Sequence, residues 1–210
     1  MDNAVYKEAW DARWRLKELG LTLEQLIEVV RASVAGRGDC TDNDPPSAPG
    51  WSSWRYGIRR LREIFRQEGW EKDDTGQLST IANHERRIKV AVCNTDDGTA
   101  IENRIPRNRS RKGVISERAT DRNVTPYIFP EMEEDAARNT ADYVTWYLCI
   151  YNEDDCVRAE LSCPSAFEAG YFTRYSERIF ILSEDDWKTM DFPQQDDNSG
   201  PDIEVSVRRK

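Results

Sequence analysis

The sequence predicts an α+β protein in which an N-terminal three-helix unit is followed by a mostly antiparallel β-sheet with one short helix. Two observations support this class. In the first third of the chain, apolar residues recur at spacings of three and four, which is the period of a helix. Further along, short apolar runs alternate with polar residues and follow one another without long helical segments between them, which favours antiparallel neighbours.

The first two helices have clear signals. The spacing of Trp10 and Trp14 predicts a helix over residues 4–19 with both indoles on its buried face. A second helix is expected to begin at Thr22, which can form a capping box with Gln25. The connection between the two helices is short, so we expect them to pack as an antiparallel hairpin.

A long loop, residues 36–51, follows the second helix because its three prolines cannot continue regular structure. The third helix is expected over residues 52–68, with Ser52 or Ser53 as its N-cap. Its apolar stripe consists of Trp54, Ile58, Leu61 and Phe65.

The sheet begins with a half-buried strand at residues 88–93. A hairpin is predicted from Thr145–Tyr151 and Val157–Cys163, with a four-residue loop that pairs Ile150 with Val157 and makes one face apolar. A buried strand is expected over Glu177–Leu182.

Two further elements complete the prediction. Residues 131–141 carry acids in a first turn and predict the short helix. Residues 203–207 alternate apolar and polar side chains and predict a terminal strand. The expected organisation is a helical unit over residues 1–70 and an α+β sheet unit over residues 78–210.

Charge is distributed unevenly. The whole chain has a formal net charge of −9, yet residues 104–122, here called the basic loop, contain seven basic and two acidic residues. A second basic feature is a stripe of arginines on the third helix. Such features attract phosphates or carboxylates, unless the arginines pair with the protein's own acids. The candidate contact residues are Arg104, Arg107, Arg109, Arg111 and Lys112 in the basic loop, and Arg55, Arg59, Arg62 and Arg66 on the helix.

Motifs for catalysis and cofactor binding are missing from the sequence. It has no phosphate-binding glycine loop, no CxxC pair and only one histidine, so we expect no catalytic residue, cofactor or metal site. One enzymatic alternative remains, a metal-dependent nuclease using Asp96 and Asp97, although Asp-Asp-Gly is also a common turn. The five cysteines are expected to be free thiols, and the protein to be cytoplasmic and not bound to membranes.

The chain resembles an uncharacterised family of bacterial proteins associated with plasmids and other mobile elements. The resemblance extends over most of its length, although relatives are less basic at Arg107, Arg109 and Arg111. It rests on Cys40-Thr41, Asn43-Asp44-Pro45-Pro46, Trp54, Leu61-Arg62, Pro106, Ser110 and Lys112-Gly113. The resemblance implies a mobile-element context, with no particular chemistry.

These observations favour a non-enzymatic accessory protein of a mobile element that binds a macromolecular partner stoichiometrically, in an anti-defence or nucleic-acid-handling role. A protein partner is favoured over nucleic acid, because the acidic remainder of the chain repels a polyanion. The alternatives are direct nucleic-acid binding by helix 52–68 together with the basic loop, and the metal-dependent nuclease.

Overall fold

A computed structural model describes residues 3–124, 143–153 and 156–190. They form one seven-stranded mixed sheet of order β1-β7-β6-β5-β4-β3-β2. Four neighbouring pairs are antiparallel, whereas β1–β7 and β4–β5 are parallel. The strands are β1 (Ala4–Tyr6), β2 (Glu71–Asp73), β3 (Thr80–Asn83), β4 (Ile88–Asn94), β5 (Val144–Glu153), β6 (Cys156–Glu168) and β7 (Tyr171–Leu182).

Helices cover both faces of this sheet. The three N-terminal helices pack on one face, where their buried side chains join those of the strands in a single apolar core. The opposite face carries a smaller aromatic and cysteine cluster, which α4 and the segment before it cover. The helices are α1 (Ala9–Leu19), α2 (Leu23–Gly38), α3 (Ala48–Arg66), α4 (Val114–Val124) and α5 (Glu184–Thr189).

The predicted α+β class and the N-terminal three-helix unit are confirmed. Thr22 caps α2 in the predicted capping box with Gln25, and both of its hydrogen bonds are present. The helical unit has no separate core, because Leu26 and Phe65 belong to the same cluster as Leu148 of β5. A boundary between residues 70 and 78 would therefore divide one continuous core.

Several expectations for the helices were wrong. Residues 4–6 form an edge strand parallel to β7, so α1 begins only at Ala9. Trp10 is 72% exposed and Trp14 is 55% exposed, and neither belongs to the core. The buried face of α1 carries Ala12, Leu16 and Leu19 instead. The most extensive contact between two helices is that of α2 with α3, whereas α1 and α2 barely touch, so the predicted α1–α2 hairpin is not formed.

The third helix also begins earlier than predicted. Its N-cap is Ser47 and proline occupies its first turn, so Pro49 belongs to the helix instead of the loop. Proline is favourable there because the backbone N–H groups of the first turn have no acceptor within the helix, so the N–H that proline lacks is not missed. The φ angle of proline also matches that of a helix. The loop between α2 and α3 is correspondingly shorter than residues 36–51.

The β5–β6 hairpin has the predicted faces with a different register. Leu148 pairs with Leu161 and Ile150 pairs with Ala159, a shift of two residues from the predicted pairs. A two-residue shift leaves every side chain on its original face, so the apolar face is preserved. The ladder continues to the Glu153–Cys156 pair, which adds hydrogen bonds that a four-residue loop would lose.

The connection from β4 to β5 differs most from the sequence prediction. Since β4 and β5 are parallel, the chain must cross back over the sheet between them, and α4 lies in this crossover. Residues 114–122 of the basic loop are therefore helical. Asn123 fixes α4 to the sheet through its side-chain contacts with Thr145 and Pro164.

Two predicted elements, the helix at residues 131–141 and the strand at residues 203–207, lie outside the described residues. Within the described ranges, no helix has the length and apolar character needed to cross a membrane.

Candidate contact surface

A cleft lies at the carboxyl ends of the parallel strands β4 and β5, beside the first turn of α3. Its volume is about 600 Å³. It is called the basic cleft here, because three of its residues are basic and one is acidic. Its lining consists of Arg37, Pro46, Ser47, Pro49, Gly50, Trp51, Ser53, Trp54, Asn94, Thr95, Arg109, Ser110, Lys112, Ile150, Asn152 and Glu153.

One carboxylate in the basic cleft is shared by two arginines. Arg109 donates to Glu153 and also to the Thr95 carbonyl at 3.2 Å, and the Arg37 guanidinium lies 3.5 Å from the same Glu153 carboxylate. Arg109 holds the pKa of Glu153 below its ordinary value. Glu153 therefore remains charged at neutral pH and compensates only one of the two guanidinium groups.

Lys112 lies in the cleft lining beside the buried thiol of Cys93, with which its side chain makes a hydrogen bond. Burial raises the pKa of Cys93, and the Lys112 ammonium opposes that rise. Among the described residues, no carboxylate pairs with Lys112. The positive charge of Lys112 is therefore not neutralised by a described carboxylate, and its ammonium has donors left for an anion besides the one directed at Cys93.

The start of α3 is fixed against β4 by a polar contact network. Asn94 donates to the Gly50 carbonyl at 2.6 Å and accepts a hydrogen bond from Ser53, which in turn contacts Ser33 of α2 at 2.8 Å. Close packing also requires Gly57, where a Cβ would lie 3.1 Å from Val92. These contacts hold the first turn of α3 at the rim of the cleft.

A second concavity, the arginine groove, follows the exposed side of α3. Its volume is about 740 Å³. All four predicted helix arginines contribute to it. Its lining consists of Trp54, Arg55, Ile58, Arg59, Arg62, Glu63, Arg66, Gln67 and Ser79.

Two of the groove arginines are paired within the protein. Arg59 donates to Glu63 at 2.9 Å. Arg62 donates to Asp74 at 2.5 Å and to the carbonyls of Thr80 and Asp73, so it ties α3 to the sheet edge.

The other two groove arginines are more available. Arg55 lies over the rings of Trp51 and Tyr56, at 5.3 and 5.2 Å from their centroids. Arg66 is exposed, and within the described ranges no acidic side chain contacts it.

Trp54 lines both the basic cleft and the arginine groove, so the two concavities adjoin. Together their linings contain seven basic and two acidic side chains, in a chain with a net charge of −9. The two basic features of the sequence thus meet on one surface, which we call the basic face. From the basic loop, only Arg109, Ser110 and Lys112 contribute to it.

The other three candidate arginines of the basic loop lie outside the two concavities and are engaged within the protein. Arg104 binds Asp97 through two hydrogen bonds of 2.7 and 2.6 Å. Arg107 stacks on Tyr171 at 3.9 Å, and Arg111 donates to the Ala169 carbonyl at 3.1 Å. The arginines of the basic loop are therefore divided between the cleft, Asp97 and the β6–β7 turn.

The segment before α4 is firmly attached to the sheet. Asn108 is buried, donates to the Gly170 carbonyl and accepts from the Phe172 amide, while Pro106 accepts from the Tyr175 hydroxyl at 2.9 Å. This segment has few apolar side chains in the sequence. Its buried contacts are polar, which hydrophobic patterning does not detect.

A buried ion pair that was not predicted from the sequence binds the backbone of residues 100–104, just before this segment. Glu160 and Arg178 are 0% and 1% exposed, and their side chains meet at 2.5 and 2.9 Å. Glu160 also accepts from the Ala100 amide, and Arg178 donates to the carbonyls of Ile101 and Arg104. The pair thereby links two strands to residues 100–104.

The residues considered for catalysis have structural contacts instead. Asp96 accepts from the amides of Gly98 and Arg107 and shapes the turn, while Asp97 binds Arg104. His84, the only histidine of the sequence, precedes β4, whereas the buried thiol of Cys93 lies near the far end of that strand. In the part of the chain that the structure describes, no three His, Cys, Asp or Glu residues are grouped to hold a metal ion.

The thiols also show no sign of activation. All five cysteines are free. Burial raises the pKa of Cys93 and Cys149, and it raises that of Cys163 to about 11. A thiol must ionise to act as a nucleophile, so these three are structural at neutral pH.

We expect the bonds after Arg107 and Arg109 to resist trypsin in the native protein, because this segment is hydrogen-bonded to two strands. Peptide mapping after limited digestion measures this. Cleavage there should accelerate only at denaturant concentrations that unfold the whole protein. Cleavage in native buffer faster than global unfolding would show that the segment opens by itself.

No protein-family model, curated protein or solved structure matches this chain.

Proposed function

We propose that the protein acts by stoichiometric binding to a macromolecular partner through the basic face. The supporting observation is the concentration of seven basic and two acidic side chains around two adjoining concavities of a chain with a net charge of −9. A concave surface lined by one sign of charge focuses the field and attracts an oppositely charged partner. The function is recognition, with no bond made or broken.

The proposed partner is a protein that presents an acidic segment. Outside the two linings the chain has a strong excess of acids, which would repel a long polyanion. An acidic segment of a protein meets only the basic face. From Arg55 to Arg66 the groove follows α3 for about 16 Å, the length of about five residues of an extended chain.

Direct nucleic-acid binding is a second candidate, favoured by one specific observation. Trp51 is 55% exposed in the cleft lining and Trp54 lies at the junction with the groove, so the basic face offers the aromatic rings that the basic loop lacks. Aromatic rings beside a basic groove are the elements with which proteins hold single strands.

The mobile-element context, and with it an anti-defence role, rests on the family resemblance alone. Within that context, a small acidic protein with one basic face suits an accessory factor that occupies a partner's surface. The metal-dependent nuclease is not supported, since Asp96 and Asp97 are used within the turn.

The test compares two triple variants with the same change in charge. R55Q/R59Q/R66Q removes three cations of the arginine groove, and K7Q/R13Q/K17Q removes three exposed cations in and before α1. Tagged proteins are incubated with lysate of the native host, and the captured proteins are identified and their ratio to the bait measured. We expect a stoichiometric acidic partner with the wild type and the α1 variant, and its loss with the groove variant.

Capture of the same partner by both triple variants would contradict the proposal. The nucleic-acid candidate is tested separately by titrating labelled single- and double-stranded DNA and RNA at two salt concentrations. Binding should weaken steeply with salt, and each lost phosphate contact should reduce the log-log slope by about 0.7–0.9. No binding below about 100 µM at low salt, the weak end of non-specific affinities, would eliminate this candidate.

A further inference from the structure

We infer that the basic cleft is a binding site for a phosphate monoester, which a small molecule such as a mononucleotide would carry. The inference concerns the cleft alone, and it does not require the macromolecular partner that the basic face is proposed to bind. At about 600 Å³ the cleft has the size of a small-molecule site, for which about 300–1,000 Å³ is usual.

The charges of the cleft suit a dianion. Two guanidinium groups share the single Glu153 carboxylate, and Lys112 adds a cation that has no carboxylate partner among the described residues. The lining therefore retains about two uncompensated positive charges. A phosphate monoester carries about 1.5–2 negative charges at neutral pH, so it matches this excess.

Neutral donors surround the same space. Ser47 is the N-cap of α3 but does not cap the helix through its side chain, and Ser110 lies in the lining beside Arg109. In the described part of the structure, neither hydroxyl has a hydrogen-bond partner. They are free to donate to phosphate oxygens that the cations attract.

The first turn of α3 adds a weaker attraction. A Cβ at Gly50 would meet only Asn94, at 3.9 Å, so the backbone there is open. The 19-residue α3 presents the positive end of its dipole at this point. This contribution supplements the side-chain charges, which carry the argument.

Two indoles identify the organic part of the ligand. Trp51 and Trp54 both line the cleft, and Trp51 is half exposed with Arg55 on one face of its ring. A planar base linked to the phosphate can stack in this part of the cleft. A mononucleotide satisfies both requirements, whereas inorganic phosphate satisfies only the first.

The test measures binding by calorimetry with defined probes: AMP, adenosine, inorganic phosphate, and a short oligonucleotide with and without a 5′-phosphate. We expect AMP to bind more tightly than inorganic phosphate, and adenosine not to bind. Lys112→Gln should weaken AMP binding about tenfold or more, because it removes a charge-assisted hydrogen bond. Glu153→Gln should tighten it, because the competing carboxylate becomes neutral.

Opposite effects of these two substitutions are a demanding result, since damage to the fold would weaken binding in both. Arg66→Gln is the matched control: it lies in the arginine groove outside the cleft lining and should leave AMP binding unchanged. Failure to find a macromolecular partner of the basic face would therefore not affect the AMP result. Phosphate-dependent binding of the oligonucleotide without AMP binding would assign the monoester to a strand end.

Three outcomes would overturn the inference. They are equal binding of adenosine and AMP, unchanged AMP affinity in Lys112→Gln, and no binding of AMP, phosphate or the 5′-phosphorylated strand at millimolar concentrations.

Discussion

Arg178→Met is expected to lower the free energy of unfolding by about 3–5 kcal/mol, because it leaves the buried Glu160 carboxylate without its counter-ion. The substitution also removes the donors to the Ile101 and Arg104 carbonyls. The chain should therefore lose its attachment at residues 100–104 as well as global stability. Urea unfolding measures the free energy, and trypsin cleavage after Arg104 reports the local release.

The double variant Glu160→Leu/Arg178→Met is the control. A buried ion pair contributes little net stability compared with apolar residues of similar size, whereas half of a pair is strongly unfavourable. The double variant should thus be more stable than Arg178→Met alone. A loss in Arg178→Met below about 1 kcal/mol would mean that water or a rearrangement compensates Glu160, contrary to its complete burial.

Phe65→Ala has the second largest expected effect, a loss of about 3–5 kcal/mol. Phe65 is 0% exposed, lies 5.1 Å from Trp70 between ring centroids, and packs between α3 and the sheet below the arginine groove. The cost combines lost burial with a cavity that the rigid surroundings cannot fill. Chemical denaturation should show a lower midpoint with an unchanged slope.

Trp14→Ala is the matched control, since the sequence predicted the same buried role for an aromatic residue on α1. Trp14 is 55% exposed, so its removal should change stability by about half a kcal/mol or less. An equal loss of stability in Trp14→Ala and Phe65→Ala would mean that the Trp14 indole is packed against another part of the protein in solution. A negligible loss in Phe65→Ala would contradict the assignment of the core.

The sequence was sufficient where local physical rules determine the structure. The capping box of Thr22 and Gln25 and the apolar stripe of α3 involve neighbours within one or two turns, and both are observed. The faces of the β5–β6 hairpin were also predictable, because alternation determines them. Its register was not, since a shift of two residues preserves the same alternation.

Local rules could not predict which face of α1 contacts the rest of the protein. The sequence of α1 has two apolar stripes, one with the two tryptophans and one with Ala12, Leu16 and Leu19. Which of them is buried depends on where β1 joins the sheet beside β7. The crossover between β4 and β5 was missed for a related reason: α4 has few apolar side chains and buries Ser116, Ala119 and Thr120 instead.

The candidate site was predictable only in part. The sequence identified the cations on α3 and in the basic loop, but it could not show that Arg109 and Lys112 reach α3 whereas Arg104 and Arg107 do not. The sequence did not indicate that the cleft also includes Arg37, Trp51 and Glu153, because the fold brings these residues together from elements far apart in the chain. The ion pair of Arg178 with Glu160 was not predicted for the same reason, because the two residues lie on different strands.

The most direct test of the account is hydroxyl-radical footprinting of the complex with the captured partner, read at individual tryptophans by mass spectrometry. Trp51 in the basic face and Trp14 on α1 are both 55% exposed, so they start from similar reactivity. A partner seated on the basic face should protect Trp51 and leave Trp14 and Trp10 unchanged. Protection of Trp10 and Trp14 with full oxidation of Trp51 would place the partner on α1 and contradict the proposal.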